Sequence, residues 1–140
     1  MGQNEITRIF LMIITTFLFV AILIPFIKKI AIHVGALDIP NKRKVHSKPM
    51  PRLGGLAIFL GFLFGYMLFG EPSSTMNSIL IGSFIIVLTG AIDDIKPLKA
   101  SVKFAAQLMA AIVVTCYGKL LIQDITAFGF YLDLGIFAYP

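Results

Sequence analysis

Four long apolar runs, separated by short polar stretches, dominate the chain. The first carries no charge from Ile9 to Ile27 and predicts a membrane helix over about residues 6–27. Pro25 falls near its end, where a membrane helix tolerates a proline kink. The second run predicts a span over about 53–69, the third over 76–92 and the fourth over 100–118. A helix needs ~20 residues to cross the hydrocarbon core, with a range of ~17–25, so the second and third spans must borrow flanking residues. The tail over 119–140 mixes turn-like and β-prone residues (ITAFGFYLDLGIFAY) and predicts a short hairpin-like or interfacial segment outside the bilayer. The expected fold is an all-α polytopic membrane protein of about four transmembrane helices, forming a single membrane domain over 1–140.

Composition supports this reading. The chain is 58% hydrophobic over 140 residues, with a mean hydropathy of +0.92. Soluble domains lie nearer ~45–50% apolar, and here the excess is gathered into uncharged runs. The first run is longer than the apolar core of a signal peptide. No small-x-small cleavage site follows it, and Lys28 and Lys29 come next, as at the end of a retained span. Cys116 is the only cysteine, which excludes an intrachain disulfide and a cysteine-rich metal site; it reads as a small packing residue. There is no internal repeat. Nothing resembles a Walker loop, a dinucleotide-binding glycine fingerprint, a nucleophile elbow or a zinc site.

Charge orients the spans. The stretch from Lys28 to Arg52 holds seven Lys/Arg, and that from Asp93 to Lys103 three more, out of twelve in the chain. The turn after the second span has Glu71 and no basic residue. By the positive-inside rule, the basic loop 28–52 and the Asp-Asp loop 93–99 face the cytoplasm, with the N-terminus and tail outside. The net charge of +5 belongs mostly to one loop. It fits anionic lipid or phosphorylated substrates better than nucleic acid.

Three features carry candidate chemistry. Asp93 and Asp94 stand side by side at the end of the third run. In one reading Asp94 caps the fourth helix and Asp93 pairs with Lys96. Against that, two carboxylates repel each other and oppose the helix dipole at a C-terminal end, and ionisable groups at a membrane edge tend to be functional. A bound Mg²⁺, or a proton to be removed, would account for both. The loop PNKRKVHSKPMPRLGG carries Lys42, Arg43, Lys44, His46, Lys48 and Arg52 among prolines and glycines. It either sets topology and holds anionic lipid, or forms a shaped phosphate-binding loop, with Asp38 and Asn41 tying it down internally. Gly61 and Gly65 form a GxxxG whose default use is close helix packing. His33 reads as structural.

The stretches ALDIPNKRKVHSKPMPRLGGLAIFLGF and GAIDDIKPLKASVKFAAQ together resemble the polyprenyl-phosphate N-acetylhexosamine-1-phosphate transferases. The likeness is strongest to the bacterial undecaprenyl-phosphate N-acetylglucosaminyl branch that starts teichoic acid synthesis. The first stretch has Asp-x-Pro, Arg-Lys-x-His and Pro-Arg-x-Gly-Gly; the second has the paired aspartates, then Lys and Gln on the next helix. The resemblance covers essentially the whole chain. It implies transfer of N-acetylglucosamine-1-phosphate from UDP-N-acetylglucosamine to undecaprenyl phosphate, with release of UMP, at a site open to the cytoplasm of the bacterial plasma membrane. It also implies Mg²⁺, with Mn²⁺ as the alternative ion. Asp93 and Asp94 would act in catalysis and hold the metal directly or indirectly. Arg43, Lys44, His46, Lys48 and Arg52 would bind the substrates. The expected partners are polyprenyl phosphate, a UDP-sugar and membrane lipids, with a homodimer left open and no nucleic acid.

Members of that family are considerably longer and carry further motifs downstream. The chain therefore reads as an N-terminal portion, expected to be inactive alone. The competing reading is a non-enzymatic four-helix membrane anchor or subunit whose basic loop binds anionic lipid. The two separate on whether Asp93 and Asp94 tolerate Asn. A small transporter is disfavoured, because no ionisable residue lies at mid-span and no span breaks near its centre.

Overall fold

The computed structural model describes residues 3–40, 48–121, 124–127, 130–133 and 135. Four helices fall on the four apolar runs: α1 (Gln3–Val34), α2 (Gly54–Phe69), α3 (Ser74–Ile95) and α4 (Ala100–Ile112), the last continued by a π turn over Val113–Tyr117. Short strands β1 (Leu37–Asp38) and β2 (Met50–Pro51) pair antiparallel, as do β3 (Asp124–Ala127) and β4 (Phe130–Asp133). Among the described residues, three helical stretches are long and apolar enough to cross a membrane: Asn4–Val34, Ser74–Ile95 and Ala100–Tyr117. The architecture is that of an all-α membrane protein. Helix α2 is apolar but has 16 residues, about 24 Å at ~1.5 Å per residue, against a hydrocarbon core of ~30 Å.

The chain divides into two compact units. The first comprises Met1–Glu71 and Val87–Leu98, the second Pro72–Ile86 and Lys99–Pro140.

In the first unit α1 runs well past its uncharged stretch. Pro25 sits inside the helix without ending it. Beyond Lys28 and Lys29 the apolar spacing resumes, and Ile27 and Ala31, one turn apart, are buried with Ala36, Leu53 and Ala57. That burial carries the helix to Val34, beyond the boundary at 27 expected from charge, because lysine stems can lie along apolar surface with their heads in water. At Gly35, φ is +76°. The Ala36 N–H donates to Ala31 O at 2.9 Å and the Gly35 N–H to Ile32 O at 3.4 Å, a Schellman ending that favours glycine.

Helices α1 and α2 pack antiparallel through small residues. A Cβ added at Gly61 would meet the Val20 side chain, and one at Gly65 the Thr16 hydroxyl. Phe19 and Phe64 stack with ring centroids 4.0 Å apart, and Arg8 donates to the Phe69 carbonyl at the far end of α2. The GxxxG therefore joins two helices of one chain. Around the buried cluster lie Leu23, Leu56, Leu60 and, from the end of α3, Ala91.

In the second unit the first part of α3 packs on α4 and the π turn. Ser78 is fully buried and donates to Thr75 O at 2.7 Å, while Thr75 donates to Gly118 O at 3.2 Å. Gly82 lies against Val114 and Ala110, and Gly118 against Ser78. The tail forms the β3–β4 hairpin, with Asp124 opposite Asp133.

Candidate functional site

The end of α3 differs from the sequence expectation. Asp93 and Asp94 belong to the last turn of the helix, which runs to Ile95, and not to a loop beginning at 93. Pro97 restricts the residue before it and stops the helix there. The Asp93 carboxylate accepts the Leu98 N–H at 2.8 Å, closing the turn that leads into α4. Asp94 does not cap α4. The N-cap position is Lys99, and no side chain caps it. A turn closed by a side chain is invisible to hydropathy, so the polar pair reads as the start of a loop.

The basic segment departs from the end of α1 and returns to the start of α2 through a closed base. Leu37 pairs with Pro51 and Asp38 with Met50, and the Arg52 N–H donates to Ala36 O at 3.0 Å. Two residue pairs suffice because buried Ala36 and Leu53 anchor the ribbon on either side. Arg52 then extends its guanidinium to two carboxylates. Its Nη2 lies 2.6 Å from Asp38 Oδ1 and its Nη1 3.9 Å from Asp94 Oδ1. The side chains are 44%, 21% and 31% exposed for Arg52, Asp38 and Asp94. In such half-wet surroundings each ion pair contributes about 1 kcal/mol or less to stability. Its main consequence is to fix orientation.

Of the residues the sequence nominated, the structure thus brings together Asp93, Asp94 and Arg52 in one unit. Lys48 is described and exposed, just before Pro49. Arg43, Lys44 and His46 lie outside the described residues, as do Asn41 and Lys42. Asp38 enters as the partner of Arg52, in keeping with its expected role of tying the loop internally. Beside this base, a cleft of about 260 Å³ is lined by Ile24, Ile27, Lys28, Ala31, Leu53 and Ala57, among others. It is an apolar hollow with one ammonium-bearing side chain.

Among the described residues, no group of three or more His, Cys, Asp or Glu side chains could hold a metal ion. Mg²⁺ commonly uses one or two carboxylates and completes its shell with water and substrate phosphates. The hard oxygen donors of Asp93 and Asp94 are of that kind and fit such a partial set.

The model of glycosyl transferase family 4 matches residues 76–140, and relatives match across the remainder. The chain is 42% identical over 144 residues to a Bacillus subtilis (strain 168) protein named probable undecaprenyl-phosphate N-acetylglucosaminyl 1-phosphate transferase, covering 100% of this chain and 40% of that protein. It is 31% identical over 131 residues to the undecaprenyl-phosphate alpha-N-acetylglucosaminyl 1-phosphate transferase of Escherichia coli (strain K12), covering 91% and 35%. It is 37% identical over 101 residues to the decaprenyl-phosphate N-acetylglucosaminephosphotransferase of Mycobacterium tuberculosis (strain ATCC 25618 / H37Rv), covering 66% and 25%. The chain therefore spans well under half the length of each of these relatives. No solved structure matches it.

Proposed function

We propose that this chain serves a membrane enzyme that transfers N-acetylglucosamine-1-phosphate from UDP-N-acetylglucosamine to undecaprenyl phosphate. The observation that carries this reading is the approach of Arg52, at the base of the basic loop, to Asp94 in the last turn of an apolar membrane-length helix. It gathers carboxylates and cations at one edge of the apolar segments, where a phosphate head and an apolar tail could be handled together. The names and similarity of the relatives support the substrate classes.

An oxygen of the polyprenyl phosphate attacks the β-phosphorus of the UDP-sugar. The bond from that phosphorus to the bridging oxygen breaks, and UMP leaves with that oxygen. Asp93 or Asp94 accepts the proton if the acceptor phosphate arrives protonated. Adjacent helical residues point about 100° apart, so the two carboxylates have different tasks. Arg43, Lys44, His46 and Lys48 hold the phosphates by charge and hydrogen bonds. Mg²⁺ held by one of the two carboxylates would neutralise charge on the diphosphate. The apolar helices accommodate the polyprenyl chain.

The clustering of basic residues supports a cytoplasmic site in a bacterial plasma membrane. The loop motif favours a product that starts teichoic acid or another cell-envelope glycan. The 140 residues alone are expected to be inactive, since a pair of carboxylates is only part of a metal and substrate site.

Membranes holding the longest natural chain with this sequence should convert radiolabelled UDP-N-acetylglucosamine and undecaprenyl phosphate into lipid-linked sugar and UMP in equal amounts. The purified 140-residue chain should form neither. Absence of transfer by the correctly inserted longer chain would sink the reading.

A further inference from the structure

We infer that Asp38 and Arg52 are positioning residues that fix the base of the basic loop to the catalytic end of α3, and that Arg52 is not a phosphate ligand. The catalytic consequence rests on the transferase reading above; the clasp itself does not.

Four observations on one stretch of backbone carry the inference. The Schellman ending at Gly35 delivers Ala36 in a fixed direction. Ala36 O then accepts the Arg52 N–H at 3.0 Å, and two residue pairs of ribbon lie next to that bond. Above the ribbon, Arg52 Nη2 meets Asp38 across the two strands at 2.6 Å. Its other terminal nitrogen lies 3.9 Å from Asp94 Oδ1, in the last turn of α3. The two ends of the guanidinium fork are therefore directed at two carboxylates on different elements. A phosphate approaching either terminal nitrogen would meet the negative charge of the carboxylate already beside it. Lysine, with a single ammonium, cannot span both in the same way. Lys48 leads directly into this base, so a shift of the base would move Lys48 relative to Asp94.

The test uses Asp38→Asn, Arg52→Lys and the exchanged pair Asp38→Arg with Arg52→Asp, each in the longest natural chain. Hydrogen exchange at the residue-52 amide reports the ribbon, and steady-state kinetics report the reaction. Asp38→Asn and Arg52→Lys should each speed that exchange by about tenfold. Each should lower kcat by about tenfold to a hundredfold, as for a misplaced group, while KM for both substrates stays within about twofold. The exchanged pair should recover slow exchange but not kcat, because its new carboxylate faces Asp94. A rise in KM of about tenfold with kcat unchanged in Arg52→Lys would make Arg52 a substrate ligand and overturn the inference. So would an Asp38→Asn protein with unchanged exchange and kcat, or full recovery of kcat by the exchanged pair. If the unsubstituted protein transfers no sugar, the transferase reading has failed. Exchange at residue 52 then decides the clasp: faster in Asp38→Asn upholds it, unchanged overturns it.

Discussion

The Asp93 carboxylate accepts the backbone N–H of Leu98 at 2.8 Å, so one member of the acidic pair builds the turn that it borders. Asparagine at this position keeps an acceptor oxygen and removes the charge, whereas alanine removes both. Hydrogen exchange at the Leu98 amide should therefore stay slow in Asp93→Asn. It should rise by about tenfold in Asp93→Ala, matching the loss of one hydrogen bond of ~1–1.5 kcal/mol. Equal exchange in both proteins would show that the side chain does not hold the turn.

Contact between α1 and α2 depends on the missing Cβ of Gly61, which would run into Val20 Cγ2. Gly61→Ala should destabilise the pair by about 1–3 kcal/mol, the usual range for overpacking. Val20→Ala should relieve much of that loss, since the obstructing atom is a side-chain tip. Reversible denaturation in detergent checks both proteins and their combination.

Gly118 is a stricter case. An added Cβ would run into Ser78 Oγ and lie 2.5 Å from the Val114 backbone oxygen. Gly118→Ala should destabilise the chain, and Ser78→Ala should not restore it, because the backbone oxygen remains. Full recovery in the double substitution, in the same denaturation assay, would count against this packing.

At Gly35 the backbone has φ +76°, a conformation that costs other residues about 1–2 kcal/mol. Gly35→Ala should lose that much stability. It should also speed exchange at the Arg52 amide, because Ala36 and the loop base follow directly from the turn. Unchanged exchange at residue 52 would uncouple the helix ending from the ribbon.

Much of the fold is legible in the hydropathy pattern, because each apolar run is a helix whose side chains have no other solvent to occupy than lipid or one another. The spacing of Gly61 and Gly65 likewise anticipates close packing, though the partner, α1, comes only from the structure. What the pattern misses are features made by single contacts. The extension of α1 to Val34 depends on Ile27 and Ala31 meeting Leu53 and Ala57, residues distant in sequence. The two-residue strands β1 and β2 are too short for any periodicity. The placement of Asp93 and Asp94 inside α3 depends on a side-chain hydrogen bond and on Pro97. Within the candidate site, Asp93, Asp94 and Arg52 are identifiable as residues from sequence. The division of Arg52 between Asp38 and Asp94 is a matter of distance and appears only in three dimensions.

The most direct test of the central claim is transfer of radiolabelled N-acetylglucosamine-1-phosphate by the longest natural chain, with and without Asp94→Asn. Membrane insertion should be unchanged, since the side chain is nearly isosteric and partly exposed. Transfer should fall by about a hundredfold or more, as when a proton acceptor or metal-holding charge is removed. Transfer within about twofold of the unsubstituted chain would contradict a catalytic carboxylate pair and return the chain to the anchor reading.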